Sequence, residues 1–360
     1  MADYHGRKPL HIPAEPGGAK QSLLDWKGFN ALMSQTATWT PHNLKLIHNG
    51  KNLSPQQYCV EVPTQAGPAL RPSPAKVEVC LSIGASLVAN DVHTLTPELV
   101  QVSSMLSEAF SGLVGANVYC SFGGIQAFGT HYDLHDVFAV HLEGEKVWRL
   151  YENRAENPVE FTPEKTRGWL EQTRGRLMQE VRMRPGDVLY LPRGWYHDAL
   201  AEGSASLHVS LSVTPLYGKV IFGLLESAAM QDAAFRAWLP PAGQDGGRAL
   251  QNHLADLGKR LAALAAHPQF RDEVTMSQHR LRQHPATYDL PHRKPLTSYR
   301  PGGMVAPSFT GPVAIAMQWA FSQSNFAVED LCAQFDFIDD ADILEAVERA
   351  TRAGALVRIS

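Results

Sequence analysis

Cysteine is scarce in this chain: Cys59, Cys80, Cys120 and Cys332 stand far apart among 360 residues. Their spacing excludes a CxxC zinc site and a disulfide-dense scaffold, and it suits a reducing cytoplasm. Excess charge is lacking as well. The Lys and Arg total 32 against 36 Asp and Glu, a net charge of −4, which fits general phosphate-backbone binding poorly. Residues 1–10 are polar and charged, with none of the apolar run a secretory signal needs. The uncharged stretch 301–328 is broken by Pro301, Pro307 and Pro312 and carries Gln318, Ser322, Gln323, Ser324 and Asn325. A membrane-spanning helix wants about 20 mainly apolar residues, so a soluble cytoplasmic protein is expected. No internal repeat or long low-complexity run occurs.

What is present points to a globular chain. At 44% hydrophobic residues it can bury a sizeable core, and roughly 150 residues per domain suggests two or three domains. Fifteen histidines are the conspicuous surplus, and imidazole is the commonest metal ligand. Proline punctuates residues 13–16 and 68–74. The apolar spacing over 23–33 predicts a short helix, Val77–Val88 reads as a strand, and Thr96–Phe110 reads as a helix with Thr96 as N-cap, Pro97 at the first helical position and Glu98 in the first turn.

From Ala116 the hydrophobic period changes to two. Ala116–Ser121, His131–His141, Lys146–Tyr151, Asp187–Leu191 and Ser206–Val213 all read as strands, separated by Gly123-Gly124, Gly144, Pro185-Gly186 and Pro192-Arg193-Gly194. Short strands joined by such turns predict an all-β barrel or double-sheet jelly roll. Beyond Leu216 the pattern turns helical. Leu250, Leu254, Leu257, Leu261 and Leu264 form a strict heptad seam, which fits either a helix packed on its own domain or a self-association surface. Residues 268–308 read as a linker containing Pro285, Pro291, Pro295 and Pro301. Helical patterns at Val328–Phe335 and Ala341–Ala353 and a strand at Ala355–Ile359 follow, in the order of a small winged-helix module.

The chemistry concentrates in the β region. His131-Tyr132-Asp133 is an HxD sequence on an expected strand, where alternate residues share a face. Arg184-Pro-Gly-Asp-Val-Leu-Tyr-Leu-Pro-Arg-Gly-Trp-Tyr-His197 then gives a turn, a strand, a second turn and a histidine. Two His and one carboxylate are the facial triad of non-haem Fe(II) oxygenases: three ligands fill one face of an octahedron and leave the other open. HxD alone is unspecific. HxD with this distal turn is much more specific, against competing readings of ordinary barrel histidines or a redox-inert cupin with another metal.

The stretches Asn117-Val-Tyr-Cys-Ser-Phe-Gly-Gly, His131-Tyr-Asp-Leu-His-Asp-Val-Phe, Glu143-Gly-Glu-Lys-Val-Trp-Arg-Leu-Tyr151 and Ser206-Leu-His-Val-Ser-Leu-Ser212, with the distal turn ending in His197, resemble the Jumonji-C, cupin-type 2-oxoglutarate oxygenases, specifically their ribosomal oxygenase branch. The Arg7-Lys-Pro-Leu-His-Ile segment and the tail are similar in order, but only 117–212 is motif-specific. The resemblance implies Fe(II) held by His131, Asp133 and His197, and 2-oxoglutarate paired through its distal carboxylate with Lys146. A buried dianion needs a fixed cation, which an ammonium on a neighbouring strand supplies; without the family, Lys146 would read as an exposed strand lysine. Asn117 and Ser212 match positions that assist co-substrate binding, and Tyr119, two residues after Asn117, shares its face and is either pocket lining or core. His135 reads as lining rather than ligand. His141 and His208 read as barrel lining or satisfied core, with His208 the best spare candidate for a pocket role. Arg193 and Trp195 either rim the substrate mouth or pack the turn.

The resulting expectation is a mainly β catalytic core (double-stranded β-helix, cupin-like) at 1–216, a helical, dimerising domain at 217–290 and a winged-helix-like domain at 291–360. The expected activity is hydroxylation of a protein side chain, with a ribosomal protein first in line by resemblance. Hydroxylation of a peptide or small molecule, N-methyl demethylation and a catalytically silent cupin that only binds partners are the alternatives. One bacterial subgroup of the family uses Arg where Lys146 stands, and Lys146 matches the other ribosomal oxygenases and the asparaginyl hydroxylase relatives instead, which weakens an assignment to the arginine-hydroxylating subgroup. The second helix of the winged module sets Asp342, Glu345 and Glu348 against Arg349 and Arg352, a poor surface for phosphates, so no direct nucleic-acid contact is expected and the module reads as structural or protein-docking.

Overall fold

The structure is a computed structural model that describes residues 3–15, 23–160, 167–282 and 295–359. Pro16, Pro285, Pro291 and the expected domain boundary at 290/291 lie outside the described residues. The chain divides into two units, Met1–Thr214 and Pro215–Ser360.

In the first unit the strands are β1 (Leu10–Ile12), β2 (Leu44–His48), β3 (Lys51–Asn52), β4 (Cys59–Thr64), β5 (Gly67–Pro72), β6 (Ser86–Ala89), β7 (Gly112–Phe122), β8 (Asp136–Arg154), β9 (Leu177–Met183), β10 (Val188–Leu191) and β11 (Trp195–Pro215). Its helices are α1 (Trp26–Ser34), α2 (Pro55–Tyr58), α3 (Pro74–Ser82), α4 (Pro97–Phe110) and α5 (Arg167–Thr173). Nine strands form one sheet in the order β1-β10-β8-β11-β7-β6-β2-β3, with β9 paired to β8. The pairs β1–β10, β10–β8, β8–β11, β8–β9, β2–β3, β2–β6 and β6–β7 are antiparallel. The long strands β8 and β11 build the double-stranded β-helix. Val137–Val140 of β8 pairs with β10, Lys146–Tyr151 pairs with β9, and β11 follows β8 along both halves. Gly144 sits at the junction with φ +71°, a conformation that suits a residue without Cβ. The register shifts there, between Glu202 and Ser206 and between Leu207 and His208, bend the ribbon in the way bulges do.

Alternation sorts the side chains. Ala116, Val118 and Cys120 of β7, Phe138, Val140 and Leu142 of β8, and Leu207, Val209 and Leu211 of β11 enter a core shared with α1, α3 and α4. Their chain neighbours Asn117, Tyr119, Val137, His208, Ser210 and Ser212 line a cavity on the other face. Below it Ala139, Trp148, Leu150, Met183, Leu189 and Leu191 fill the barrel. Each fully buried large aliphatic side chain contributes about 1.5–3 kcal/mol, so the period-two pattern fixes which face becomes the cavity.

α4 begins as the sequence predicts: Thr96 Oγ1 accepts from Leu99 N at 3.2 Å, with Pro97 next. Three expectations differ, the first being that Gly144 lies inside the single strand β8 rather than separating two strands. Val77–Val88 is a helix followed by a strand: Pro74 at the first helical position starts α3, Val77 and Cys80 bury one face, and only Ser86–Ala89 extends. His131–His141 is extended strand only from Asp136; His131 forms an isolated bridge with His197.

The second unit has α6 (Val220–Ala229), α7 (Ala233–Arg236), α8 (Arg248–Ala266), α9 (Pro268–His279), β12 (Ser298–Pro301), α10 (Gly311–Ser322), β13 (Phe326–Ala327), α11 (Val328–Gln334), α12 (Asp340–Arg352) and β14 (Leu356–Arg358). The expected linker at 268–308 therefore opens with a helix. Pro268 follows His267, whose Nδ1 accepts from Gln269 N, and Phe270 and Met276 supply its buried face. β12 pairs antiparallel with β13 and β14. Met276, Met317, Ala320, Leu331, Ile343 and Val347 share the core of this unit. Among the described residues no helix is long and apolar enough to cross a membrane.

Candidate metal and co-substrate site

His131 and His197 face each other across a two-residue ladder. His131 N donates to His197 O at 3.0 Å, and His197 N donates to His131 O at 2.8 Å. This mutual pair puts both imidazoles on one side, with ring centroids 4.4 Å apart. His131 Nδ1 lies 2.9 Å from Gly129 O and His197 Nδ1 lies 2.9 Å from Trp195 O. A carbonyl oxygen only accepts, so each Nδ1 carries the proton and each Nε2 presents a lone pair.

Asp133 completes the group. Its carboxylate stands 3.9 Å from His131 Nε2 and 3.5 Å from His197 Nε2, and one ligand atom of each residue lies within 4.8 Å of the others. The backbone holds it there: Gly194 N donates to Asp133 O at 2.9 Å. The turn bearing Gly194 is itself fixed by Asp136, which accepts from Arg193 N at 2.8 Å and Tyr190 OH at 2.5 Å. Burial pushes the Asp133 carboxyl up, but His131, His197 and His135 outweigh it and hold the carboxyl below its usual value. Burial, assisted by His131, lowers His197 to about 4, so at neutral pH its lone pair is free. Three convergent lone-pair donors, two imidazole Nε2 atoms and one carboxylate, suit a divalent first-row metal.

The cavity around the triad is about 240 Å³ and also contains Lys146, Asn117, Tyr119 and Ser212. The structure thus brings every sequence-predicted site residue into one space. Lys146 is only 4% exposed. Burial lowers its ammonium to about 8, against a smaller opposing effect of the Cys120 thiol. Asn117 Oδ1 accepts from Asp91 N at 3.2 Å, and Ser212 Oγ donates to Gly115 O at 3.3 Å. Burial, with Asp133 adding to it, raises the Tyr119 phenol to about 12. A neutral phenol, an amide and a buried cation give the lining donors for an anion.

Of the other histidines weighed in the sequence, His135 lines the cavity and His141 is fully buried, with Nε2 3.0 Å from Gly144 O. His208 also lines the cavity. Burial first, then Lys146 and His141, hold it well below the usual imidazole value, and its Nδ1 has no hydrogen-bond partner. Trp195 packs in the turn with the Arg154 guanidinium 6.0 Å from its ring. Trp148 and Phe128 are lining residues that the sequence reading did not single out. An inward position two after Lys146 was the available signal for Trp148; Phe128 lies in a loop where no period applies.

A family model described as a JmjC domain matches residues 92–219. A bifunctional lysine-specific demethylase and histidyl-hydroxylase NO66 from Drosophila persimilis is 30% identical over 214 residues, covering 59% of this chain and 29% of that protein. Ribosomal oxygenase 2 from Bos taurus is 39% identical over 151 residues, covering 40% and 32%. Ribosomal oxygenase 1 from Gallus gallus is 32% identical over 242 residues, covering 65% and 38%. The chain thus spans about a third of the length of the curated relatives it matches. YcfD, a ribosomal oxygenase from Escherichia coli solved with cobalt and succinic acid, is similar in fold with a TM-score of 0.52 at 14% identity, over 99% of this chain and 96% of that one. A further YcfD structure contains cobalt and 2-oxoglutarate and gives a TM-score of 0.51 at 14% identity. With a double-stranded β-helix around a His-Asp-His cluster, the chain is similar to JmjC-domain proteins over residues 92–219 and to the ribosomal oxygenases over part of their length.

Proposed function

We propose that this chain is an Fe(II)- and 2-oxoglutarate-dependent oxygenase that hydroxylates a protein side chain, with a ribosomal protein as the first candidate substrate. The observation that carries the reading is the convergence of two Nε2 lone pairs and the Asp133 carboxylate in the same cavity as the buried Lys146 ammonium. In this reading His131, Asp133 and His197 hold the metal. Lys146 pairs with the distal carboxylate of 2-oxoglutarate, and Asn117, Tyr119 and Ser212 orient it.

Bound together, Fe(II) and 2-oxoglutarate supply the oxidising power to insert oxygen from O₂ into a substrate C–H bond, while the protein supplies orientation and a shielded space. Here Val137, Trp148 and Ala199 give the cavity apolar walls. The Gly129 and Trp195 carbonyls fix the tautomer of the two imidazoles. The test is Fe(II)-dependent formation of succinate from 2-oxoglutarate: wild type should turn over, and His131→Ala should not. Equal turnover by both would sink the reading. Demethylation is separated by its product, since loss of an N-methyl group releases formaldehyde and hydroxylation adds one oxygen to a retained residue. Mass mapping of host proteins with and without the gene names the residue.

The second unit is read as a helical dimerisation region at 217–290 and a winged-helix-like region at 291–360. Support for the first comes from α8, where Leu254 is 51% exposed and Leu261 37%, both on the heptad seam. Support for the second is the three-stranded sheet of β12, β13 and β14 beside α10, α11 and α12. The acidic residues of α12 favour a protein-docking or structural role over nucleic-acid contact, and a homodimer in the cytoplasm is the working assembly.

A further inference from the structure

The bridge that carries His131 and His197 is short, and the neighbouring side chains reinforce it. Thr130 precedes His131 and Asp198 follows His197, so in the antiparallel ladder these two form the next cross-strand pair. Both are buried, at 2% and 3% exposure, and both point away from the imidazoles because successive residues of an extended chain alternate. Thr130 Oγ1 donates to Asp198 Oδ2 at 3.0 Å, and Tyr151 OH donates to the same oxygen at 2.6 Å.

Above both hydroxyls lies one guanidinium. Arg174 Nη1 donates to Thr130 Oγ1 at 2.8 Å and to Tyr151 OH at 2.7 Å, stands 3.7 Å from Asp198 Oδ2, and its guanidinium lies 4.3 Å from the Tyr151 ring centre. Arg174 follows directly on α5, which is tied to the same place by Thr173 Oγ1 and Tyr196 OH at 3.0 Å and by Trp169 and Leu170 packed on Tyr132, Tyr151 and Tyr196. Each hydroxyl receives one hydrogen bond and gives one, so the donors run in one direction, from Arg174 through Thr130 and Tyr151 to Asp198.

We infer that Thr130, Asp198 and Arg174 are positioning residues that set the separation and tilt of the His131 and His197 imidazoles, and thereby the affinity of the site for a divalent metal. The physical reason is leverage. His131 lies in a loop outside the regular strands and meets β11 through a single backbone bridge. The other main-chain ties of the loop, Gly124 N to Ala201 O and Gly194 N to Asp133 O, lie on either side of the bridge and leave rotation of the bridged pair itself unopposed. The Thr130–Asp198 bond, one residue along and on the opposite face, stops that rotation. The inference rests on the proposed role of His131, Asp133 and His197 as metal ligands.

Co(II), a spectroscopic stand-in for Fe(II), is the probe. Its affinity and visible absorption are measured by titration of the full chain, wild type, His131→Ala, Thr130→Val, Thr130→Ser, and Arg174→Lys, with thermal unfolding of each metal-free protein alongside. Supporting groups around metal ligands commonly change affinity by about 10–100-fold. We expect Thr130→Val, which keeps the shape and loses both hydrogen bonds, to weaken Co(II) binding at least about tenfold and shift the absorption bands, with Thr130→Ser restoring both. Arg174→Lys, which is shorter and loses the planar guanidinium stacked over the Tyr151 ring, should fall between. A folded Thr130→Val with wild-type Co(II) affinity and spectrum would overturn the inference and leave the metal site intact. Equal failure of wild type and His131→Ala to bind Co(II) would instead overturn the reading of the triad.

Discussion

Tyr119 and His208 lie ring on ring, 4.8 Å between centroids and 8° between planes. Their strands β7 and β11 are neighbours in the sheet, so the stack forms a flat buried wall of the cavity that holds Lys146. His208 carries no charge at neutral pH because burial and Lys146 both oppose protonation, leaving Lys146 as the cation in that part of the barrel.

Lys146 therefore opposes stability in the free protein. Its folded value of about 8 lies below the ordinary lysine value of 10.5, so the unfolded chain binds more protons between those limits. The burden is full below pH 8 and is relieved as pH rises towards 10.5. Replacing Lys146 with Met should stabilise the co-substrate-free protein at pH 7, by up to about 3 kcal/mol, with the gain shrinking above pH 8. The same variant should raise the KM for 2-oxoglutarate by roughly 10–100-fold, since a charge-assisted hydrogen bond contributes about 1.5–3 kcal/mol. Denaturant unfolding and succinate assays read the two effects.

Acid should destabilise the barrel through its interior imidazoles. Burial lowers His141 from 6.5 to about 4. Its contribution is present above pH 6.5 and lost as pH falls towards 4, amounting to roughly 3 kcal/mol. In His141→Gln, which can still donate to the Gly144 carbonyl, the unfolding free energy should fall less steeply between pH 6.5 and 4 than in wild type. An unchanged slope would assign the acid sensitivity elsewhere.

Divalent metal should raise the melting temperature. At a hundredfold excess over Kd, binding stabilises by about 2.7 kcal/mol, which for a domain of this size is roughly 5–10 °C. Co(II) or Fe(II) should produce that shift in wild type by differential scanning fluorimetry, and His197→Ala should show none.

Gly144 should resist substitution. A Cβ there would sit 1.8 Å from Ala205 O, at φ +71°. Gly144→Ala should destabilise by at least about 2 kcal/mol, because the obstructing atom is backbone and the conformation disfavours a side chain. Equilibrium unfolding measures it; a loss under 0.5 kcal/mol would show that the hairpin tolerates a shift (order of magnitude from the same cost, ~1–3 kcal/mol).

The exposed half of the α8 seam should carry self-association. Leu254→Lys with Leu261→Glu should convert a dimer to a monomer in light scattering while leaving succinate formation measurable. A monomeric wild type at micromolar concentration would count against the dimer.

Much of the site was legible because its signals are local. His131 and Asp133 are two residues apart, and His197 follows a turn that Pro192 and Gly194 announce in sequence. Lys146, Asn117 and Ser212 are assigned through family resemblance and Tyr119 through the strand face it shares with Asn117, and strand alternation brings all four side chains into the cavity. The Thr130–Asp198–Tyr151–Arg174 network was not legible. Its members come from four segments, and none breaks a hydrophobic pattern or completes a motif. α3 was missed because Val-Glu-Val-Cys-Leu-Ser-Ile has strand composition, while Pro74 and the burial of Val77 and Cys80 on one helical face decided otherwise. The leucine seam is split in burial: Leu250, Leu257 and Leu264 are half-buried, whereas Leu254 and Leu261 are exposed.

β1 pairs with β10, Leu10 opposite Tyr190 and Ile12 opposite Val188. The first strand of the sheet thus has its partner some 180 residues downstream. During synthesis at about 5–20 residues per second, that partner emerges roughly 10–40 s later. Until then the N-terminal strand lacks that partner, and the pairings of β11 with β7 and β8 wait longer still, until residues 195–215 have followed.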